Sequence, residues 1–206
     1  MIKLVLASNS PRRKKILSDM GLDYKIIPSN YDEKLETDDF SYEKIEDIAT
    51  QKCLDVVRRI RKGDFVELKK NGALVLAADT VVVLHNKILG KPNTKENAFK
   101  MLKELSGETH MVVTSICAIN TKTNRAATLS TTSYVRFMNW TDEMIISYID
   151  KYLPLDKAGS YGIQELPPNY IDKFEGSFEN IVGLSPESVI AVLNQLEYPI
   201  PEELHH

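Results

Sequence analysis

The 206-residue chain has no apolar run approaching the ~20 residues that a helical membrane span requires. Its N-terminal apolar segment, "IKLVLA", is too short for a secretory signal. Cysteine is scarce. Cys53 and Cys117 lie far apart in apolar segments, and they read as reduced, buried thiols of a cytosolic protein rather than as a disulfide. Histidine is scarce as well: His85 and His110 alone are too few for a histidine-based metal site or a Ser-His-Asp triad. His205 and His206 end the chain and read as the remnant of an expression tag. Three sequence templates are missing: the GxxxxGK[ST] phosphate loop, a GxGxxG after the first strand, and HExxH. Positive charge is not in excess, since 26 Lys and Arg face 29 Asp and Glu for a net charge of −3. That balance counts against a general nucleic-acid binder. With no internal repeat, low-complexity tract or Gly/Ser linker, residues 1–206 read as a single domain of one or two lobes with a sizeable core.

What is present reads as a mixture of strands and helices. "IKLVLA" is a buried strand, residues 11–21 a helix closed by Gly21, and "YKIIP" a short second strand. Ile45, Ile48, Ala49, Cys53, Val56 and Ile60 recur at helical spacing and predict a long helix over 42–61. Residues 62–72 read as an exposed connection. "ALVLAADTVVVLHNKILGKP" is a long apolar strand that turns through Asn86-Lys87 into a short return strand. Thr94 caps a helix over 95–106, two long strands follow near 109–120 and 125–138, and Thr141 caps a helix to about 151. Residues 153–184 read as loop-rich, and Ser185-Pro186 opens a last helix to about 196. Strict alternation is missing, which predicts a mixed α/β sheet rather than a doubly wound parallel one.

Several residues stand out chemically. "SNSPRRKK" puts Arg12, Arg13, Lys14 and Lys15 at the start of a helix, the end where the helix dipole disfavours cations. With Ser10 as N-cap and Pro11 as first helical residue, the first-turn amides and two guanidiniums would meet a phosphate lying beyond the strand end, and Ser8 and Ser10 would add hydroxyls. A solvated cationic face is the bland alternative, and it suits Lys14 and Lys15. Asp79 interrupts an apolar run from Ala73 to Leu84, where an unpaired carboxylate is expensive. Either the strand ends or bulges at Ala78, or Asp79 has a cation, a metal or a water as its partner. Thr80 points to the opposite face of a regular strand, so both residues serve one site only if the backbone is irregular. Lys52 falls inside the apolar helical stripe. It reads first as a lysine snorkelling to the core's edge, and otherwise as an ammonium aimed at the same anion as the arginines. Lys91 in "GKP", Glu33 beside Asp32 in a polar loop, and Gln164 in "GSYGIQ" complete the set. Glu33 could join Asp79 around a divalent ion, and Gln164 could pair its amide with a nucleobase edge.

Five segments, "LASNSPRR", "AADTVV", "GKP", "DKAGSYGIQ" and "GSFENIVGLSPESV", run in order along nearly the whole chain and resemble the Maf family of nucleotide pyrophosphatases. The resemblance implies an ITPase-like mixed α/β fold with a central cleft between two lobes. It also implies hydrolysis of a nucleoside triphosphate to the monophosphate and pyrophosphate. A divalent cation, Mg²⁺ or Mn²⁺, a cytoplasmic location and often a homodimer go with it; neither nucleic acid nor membrane is an expected partner. Carried onto this sequence, the catalytic aspartate falls at Asp79, with Glu33 as the second acidic residue at the metal and Lys52 and Lys91 as supporting cations. Substrate contacts and base selection fall to Ser8, Arg12, Arg13, Thr80 and Gln164, and the "YGIQ" form resembles the branch acting on dTTP and UTP. The resemblance leaves open whether Asp79 is general base or metal ligand. A nucleotide-binding regulator of septum formation without hydrolysis is the alternative function. Two departures are a longer, more charged 60–72 segment and a serine inserted in "GLSPES", which bears on the last helix's cap.

Overall fold

The longest apolar segment of the sequence becomes the strand around which the others are arranged. The computed structural model describes residues 2–32 and 39–204. Its strands are β1 (Lys3–Leu6), β2 (Tyr24–Ile26), β3 (Ala73–Leu84), β4 (Lys87–Leu89), β5 (Thr109–Asn120), β6 (Ala126–Phe137) and β7 (Ile171–Glu175). They form one sheet in the order β2-β1-β3-β5-β6-β7, with β4 also on β3. β1 is parallel to β2 and β3, while the remaining pairs are antiparallel, so the sheet is mixed as its irregular alternation predicts. The helices are α1 (Pro11–Asp19), α2 (Tyr42–Lys62), α3 (Val66–Asn71), α4 (Lys95–Leu105), α5 (Asp142–Tyr152), α6 (Phe178–Val182) and α7 (Pro186–Gln195).

Strand periodicity sends alternate residues of β3 to opposite faces. On one face Ala73, Val75 and Ala77 pack with Ala49, Cys53 and Val56 of α2, and further along Val81 and Val83 pack with Ile45. On the other, Leu74, Leu76 and Ala78 meet Leu17 of α1 and Val189 of α7. Beyond them Val82 and Leu84 join a separate cluster with Leu102, Phe137, Trp140 and Tyr148. Each face therefore carries two apolar clusters. Between them, on both faces, stand Asp79 and Thr80.

Four sequence expectations need correction. Residues 62–72 are more than a connection: Leu68 is buried and α3 forms there, with Arg59 lying over the Phe65 ring. The hairpin turns at His85-Asn86, one residue earlier than expected, because both take left-handed φ values of 48° and 64°. The stretch 153–184 holds β7, α6 and three short 3-10 turns. β7 is an edge strand with mostly exposed side chains, so it lacks the apolar signature of a buried strand. Finally, β3 neither ends nor bulges at Ala78; its pairing with β5 runs unbroken from Leu74 to Val83. Cys53 and Cys117 are free, buried thiols.

His110 of β5 is buried in the aromatic cluster, 4.9 Å from the Phe137 ring, and burial alone lowers its pKa from 6.5 to about 3. The folded state keeps this imidazole neutral, whereas the unfolded chain protonates it below about pH 6.5, so stability declines as pH falls from 6.5 towards 3. Relative to His110→Phe, the unmodified protein should lose roughly 2 kcal/mol more stability between about pH 7 and about pH 5. Urea unfolding at the two pH values checks this, and parallel pH profiles for the two proteins would contradict it.

Candidate active site

A strand buried on both faces normally has neighbours along both edges, and β3 does not. β1 runs beside its first part only as far as Leu76, whose carbonyl accepts from the Ala7 amide. β4 takes up the same edge at Val82. Between them, Ala77 to Val81 pair with β5 on one side and, among the described residues, with no strand on the other. A cavity of about 480 Å³ opens at this gap. Both Asp79 and Thr80 line it. They face opposite sides of a regular strand, so the expectation that one site requires an irregular backbone is overturned: the cavity wraps around the exposed edge and reaches both faces.

On the α2 face, Lys52 Nζ lies 2.6 Å from Asp79 Oδ1, and both side chains are about nine-tenths buried. Lys52 therefore does not snorkel to the core's edge. Its ammonium is drawn inward because a buried carboxylate without a cation would be far costlier. On the opposite face, Thr80 Oγ1 accepts from Arg13 Nη2 at 3.0 Å and lies 2.9 Å from Thr114 Oγ1. Arg13 also donates through Nε to the Gly183 carbonyl at 2.9 Å and through Nη1 to Ser8 Oγ at 3.4 Å. This guanidinium ties the loop before α1, strand β3 and the end of α6 together.

The opening motif folds as its residue types dictate. Ser10 Oγ accepts from the Arg13 amide as N-cap and Pro11 begins α1. Ser8 Oγ accepts from the Ser10 amide. Arg12 lines the cavity, while Lys15 turns outward to an exposed pair with Asp19. Helix α1 ends at Asp19, and Gly21, with φ of 69°, lets the chain turn away. Lys91 and Gln164 also line the cavity. Gln164 sits in a 3-10 turn, Ile163–Glu165, with its side chain exposed. Ser185, the inserted residue of "GLSPES", caps α7 by accepting from the Ser188 amide. Glu33 lies outside the described residues.

Sequence reasoning missed three polar cavity residues in the "DKAGSYGIQ" segment: Asp156 and the buried Lys157 and Tyr161. Lys157 Nζ lies 3.1 Å from Asp156 Oδ1 and 3.6 Å from Glu165 Oε1. For Asp156, partial burial pushes the pKa up, but the Lys157 hydrogen bond and the charges of Lys157 and Arg12 outweigh it and hold it below the usual value. The motif's position was legible, but the burial of its lysine depends on contacts with elements distant in sequence.

A metal would find hard oxygen donors here but no complete cage. Among the described residues no group of three His, Cys, Asp or Glu side chains converges. Asp79 and Asp156 each supply a carboxylate to the cavity lining. That set fits Mg²⁺ or Mn²⁺, because Mg²⁺ is commonly held by one or two carboxylates together with substrate phosphates.

A family model described as Maf-like protein matches residues 3–196. The chain belongs to the Maf-like family. It is 41% identical over 184 residues to the dTTP/UTP pyrophosphatase of Acetivibrio thermocellus, covering 89% of this chain and 90% of the relative. It is 36% identical over 200 residues to the dTTP/UTP pyrophosphatase of Caldicellulosiruptor saccharolyticus, covering 97% and 98%. The dTTP/UTP pyrophosphatase of Clostridium tetani is 35% identical over 199 residues, covering 95% and 98%. The mixed sheet with flanking helices is the fold that the Maf resemblance implies. No helix among the described residues is long and apolar enough to cross a membrane.

In this Maf-like chain the buried Lys52–Asp79 pair is the most costly part of the site to break. Lys52→Met leaves the carboxylate without its cation and should lower stability by roughly 3 kcal/mol. Adding Asp79→Asn should restore part of that loss. Denaturant unfolding of the two variants measures it, and a double variant less stable than Lys52→Met would contradict the pairing.

Proposed function

We propose that this chain is a nucleoside triphosphate pyrophosphatase that hydrolyses dTTP and UTP to the monophosphate and pyrophosphate. The observation that carries the reading is the cavity at the β3 gap, which brings together the cations Arg12, Lys52 and Lys91, the start of α1, the Asp79 carboxylate and the Gln164 amide side chain. The relatives named dTTP/UTP pyrophosphatase support the same reaction and base preference.

Arg12, Lys52 and Lys91 bind the triphosphate, with the α1 amides closing one side of the phosphate chain. Arg13 holds Thr80 and Ser8 in place through its hydrogen bonds. Lys52 fixes the Asp79 carboxylate through Oδ1, and the other oxygen of that carboxylate orients water for attack at the α-phosphorus. Asp79 would also hold a Mg²⁺ or Mn²⁺ ion, with Asp156, which lines the same cavity, and Glu33, assigned from the sequence alone, as the further acidic candidates. When bound, that ion neutralises charge on the pyrophosphate leaving group and lowers the pKa of coordinated water. Gln164 and Thr80 select the base, the glutamine offering a donor and an acceptor from one planar amide.

Two measurements test the assignment. Asp79→Asn should lose at least about a hundredfold in pyrophosphate release while nucleotide binding remains measurable. Near-normal turnover in this variant would remove Asp79 from the chemistry. Gln164→Ala should slow dTTP and UTP more than GTP, assayed by pyrophosphate release with Mg²⁺ or Mn²⁺. An equal loss on all three nucleotides would take base selection away from Gln164.

A further inference from the structure

The Asp156–Glu165 loop, which carries Gln164, is held from beneath at several points. The Gly159 amide donates to the Gly90 carbonyl at 3.1 Å, and the Gly162 amide donates to the Tyr148 hydroxyl at 3.1 Å. Gly159 has φ of 64°, and a side chain there would come within 2.9 Å of Val82, so the loop lies directly on β3. A further anchor is Tyr161. Its ring lines the cavity, and its hydroxyl lies 2.7 Å from His110 Nε2 on β5, behind the cavity wall.

This anchor is a poor way to gain stability. His110 is 1% exposed, and its Nδ1 is buried with no hydrogen-bond partner among the described residues. Leaving a buried polar atom unpaired costs about 1–3 kcal/mol. The neutral imidazole and the phenol bring one polar hydrogen each, and their mutual bond uses only one. A phenyl ring would fill the same space edge-on to Phe137 without that cost. What imidazole adds, and phenyl cannot, is a directional bond that pins the tip of the Tyr161 side chain against β5. That ring stands three residues before Gln164 on the same tight succession of turns.

We propose that His110 is a positioning residue for base selection: its hydrogen bond to Tyr161 fixes the cavity wall and, through the short loop, the Gln164 amide. The inference rests on the pyrophosphatase reading and adds to it a residue that does not line the cavity.

The test compares kcat/KM for dTTP, UTP, CTP and GTP in the unmodified protein, His110→Phe, Tyr161→Phe and the double variant, by pyrophosphate release. Each single variant should lose about tenfold of the preference for dTTP and UTP, equivalent to ~1.4 kcal/mol of differential transition-state binding. The double variant should lose no more than either single, because both remove the same bond. His110→Phe should keep kcat for dTTP within about threefold, which a general loosening of the site would not allow. Preserved preference in the single variants, equal losses on all four nucleotides, or additive losses in the double variant would overturn the inference. Tyr161→Phe removes one oxygen only and decides the matter if His110→Phe fails to fold. An unmodified protein that releases no pyrophosphate, or shows no base preference, overturns the functional reading itself and this inference with it.

Discussion

The stretch of β3 that, among the described residues, has a strand on one edge only is the constraint from which the site follows. A central strand with both edges occupied would bury Asp79 on one face and Thr80 on the other, with the sheet between them. Because β1 stops beside Leu76 and β4 begins at Val82, no strand among the described residues covers the edge between them. A ligand there can touch side chains from both faces of a regular strand. The apolar clusters on either side of Asp79 and Thr80 hold the gap open, since each buries its own part of β3.

The cost of placing charge at that gap explains how the neighbouring helices are tied to it. Asp79 is stabilised from α2 by Lys52, and Thr80 is held from α1 by Arg13, whose third partner is the Gly183 carbonyl after α6. A chain of hydrogen bonds continues from Thr80 through Thr114 to the Asn180 carbonyl, and the Asn180 amide donates to the Val112 carbonyl and to Ser133 Oγ. Side chains far apart in sequence thus set the two walls of the cavity relative to its floor.

Much of this was legible from residue types. Ser10-Pro11, Thr94, Thr141 and Ser185-Pro186 mark helix starts that the structure realises, because capping is local chemistry that needs no tertiary partner. Asp79 stood out because an aspartate in an apolar strand must have a partner. Which partner was not legible, since Lys52 is 27 residues away and helical spacing alone fits a snorkelling lysine equally well. That Asp79 and Thr80 share one cavity from a regular strand was not legible for a similar reason. Alternation along a strand is local, whereas the missing neighbour depends on where β1 and β4 end. The burial of Lys157 and the His110–Tyr161 bond, which joins residues 51 apart in the chain, lie in the same class.

The central claim is that one nucleotide occupies the gap from both faces of β3. A crystal structure with a dTTP analogue carrying a non-hydrolysable α–β bridge, grown with Mg²⁺, tests it most directly. The account predicts phosphates among Arg12, Lys52, Lys91 and the start of α1, with the base against Gln164 and Thr80. A nucleotide seated on one face of the sheet alone, or away from Asp79, would contradict it.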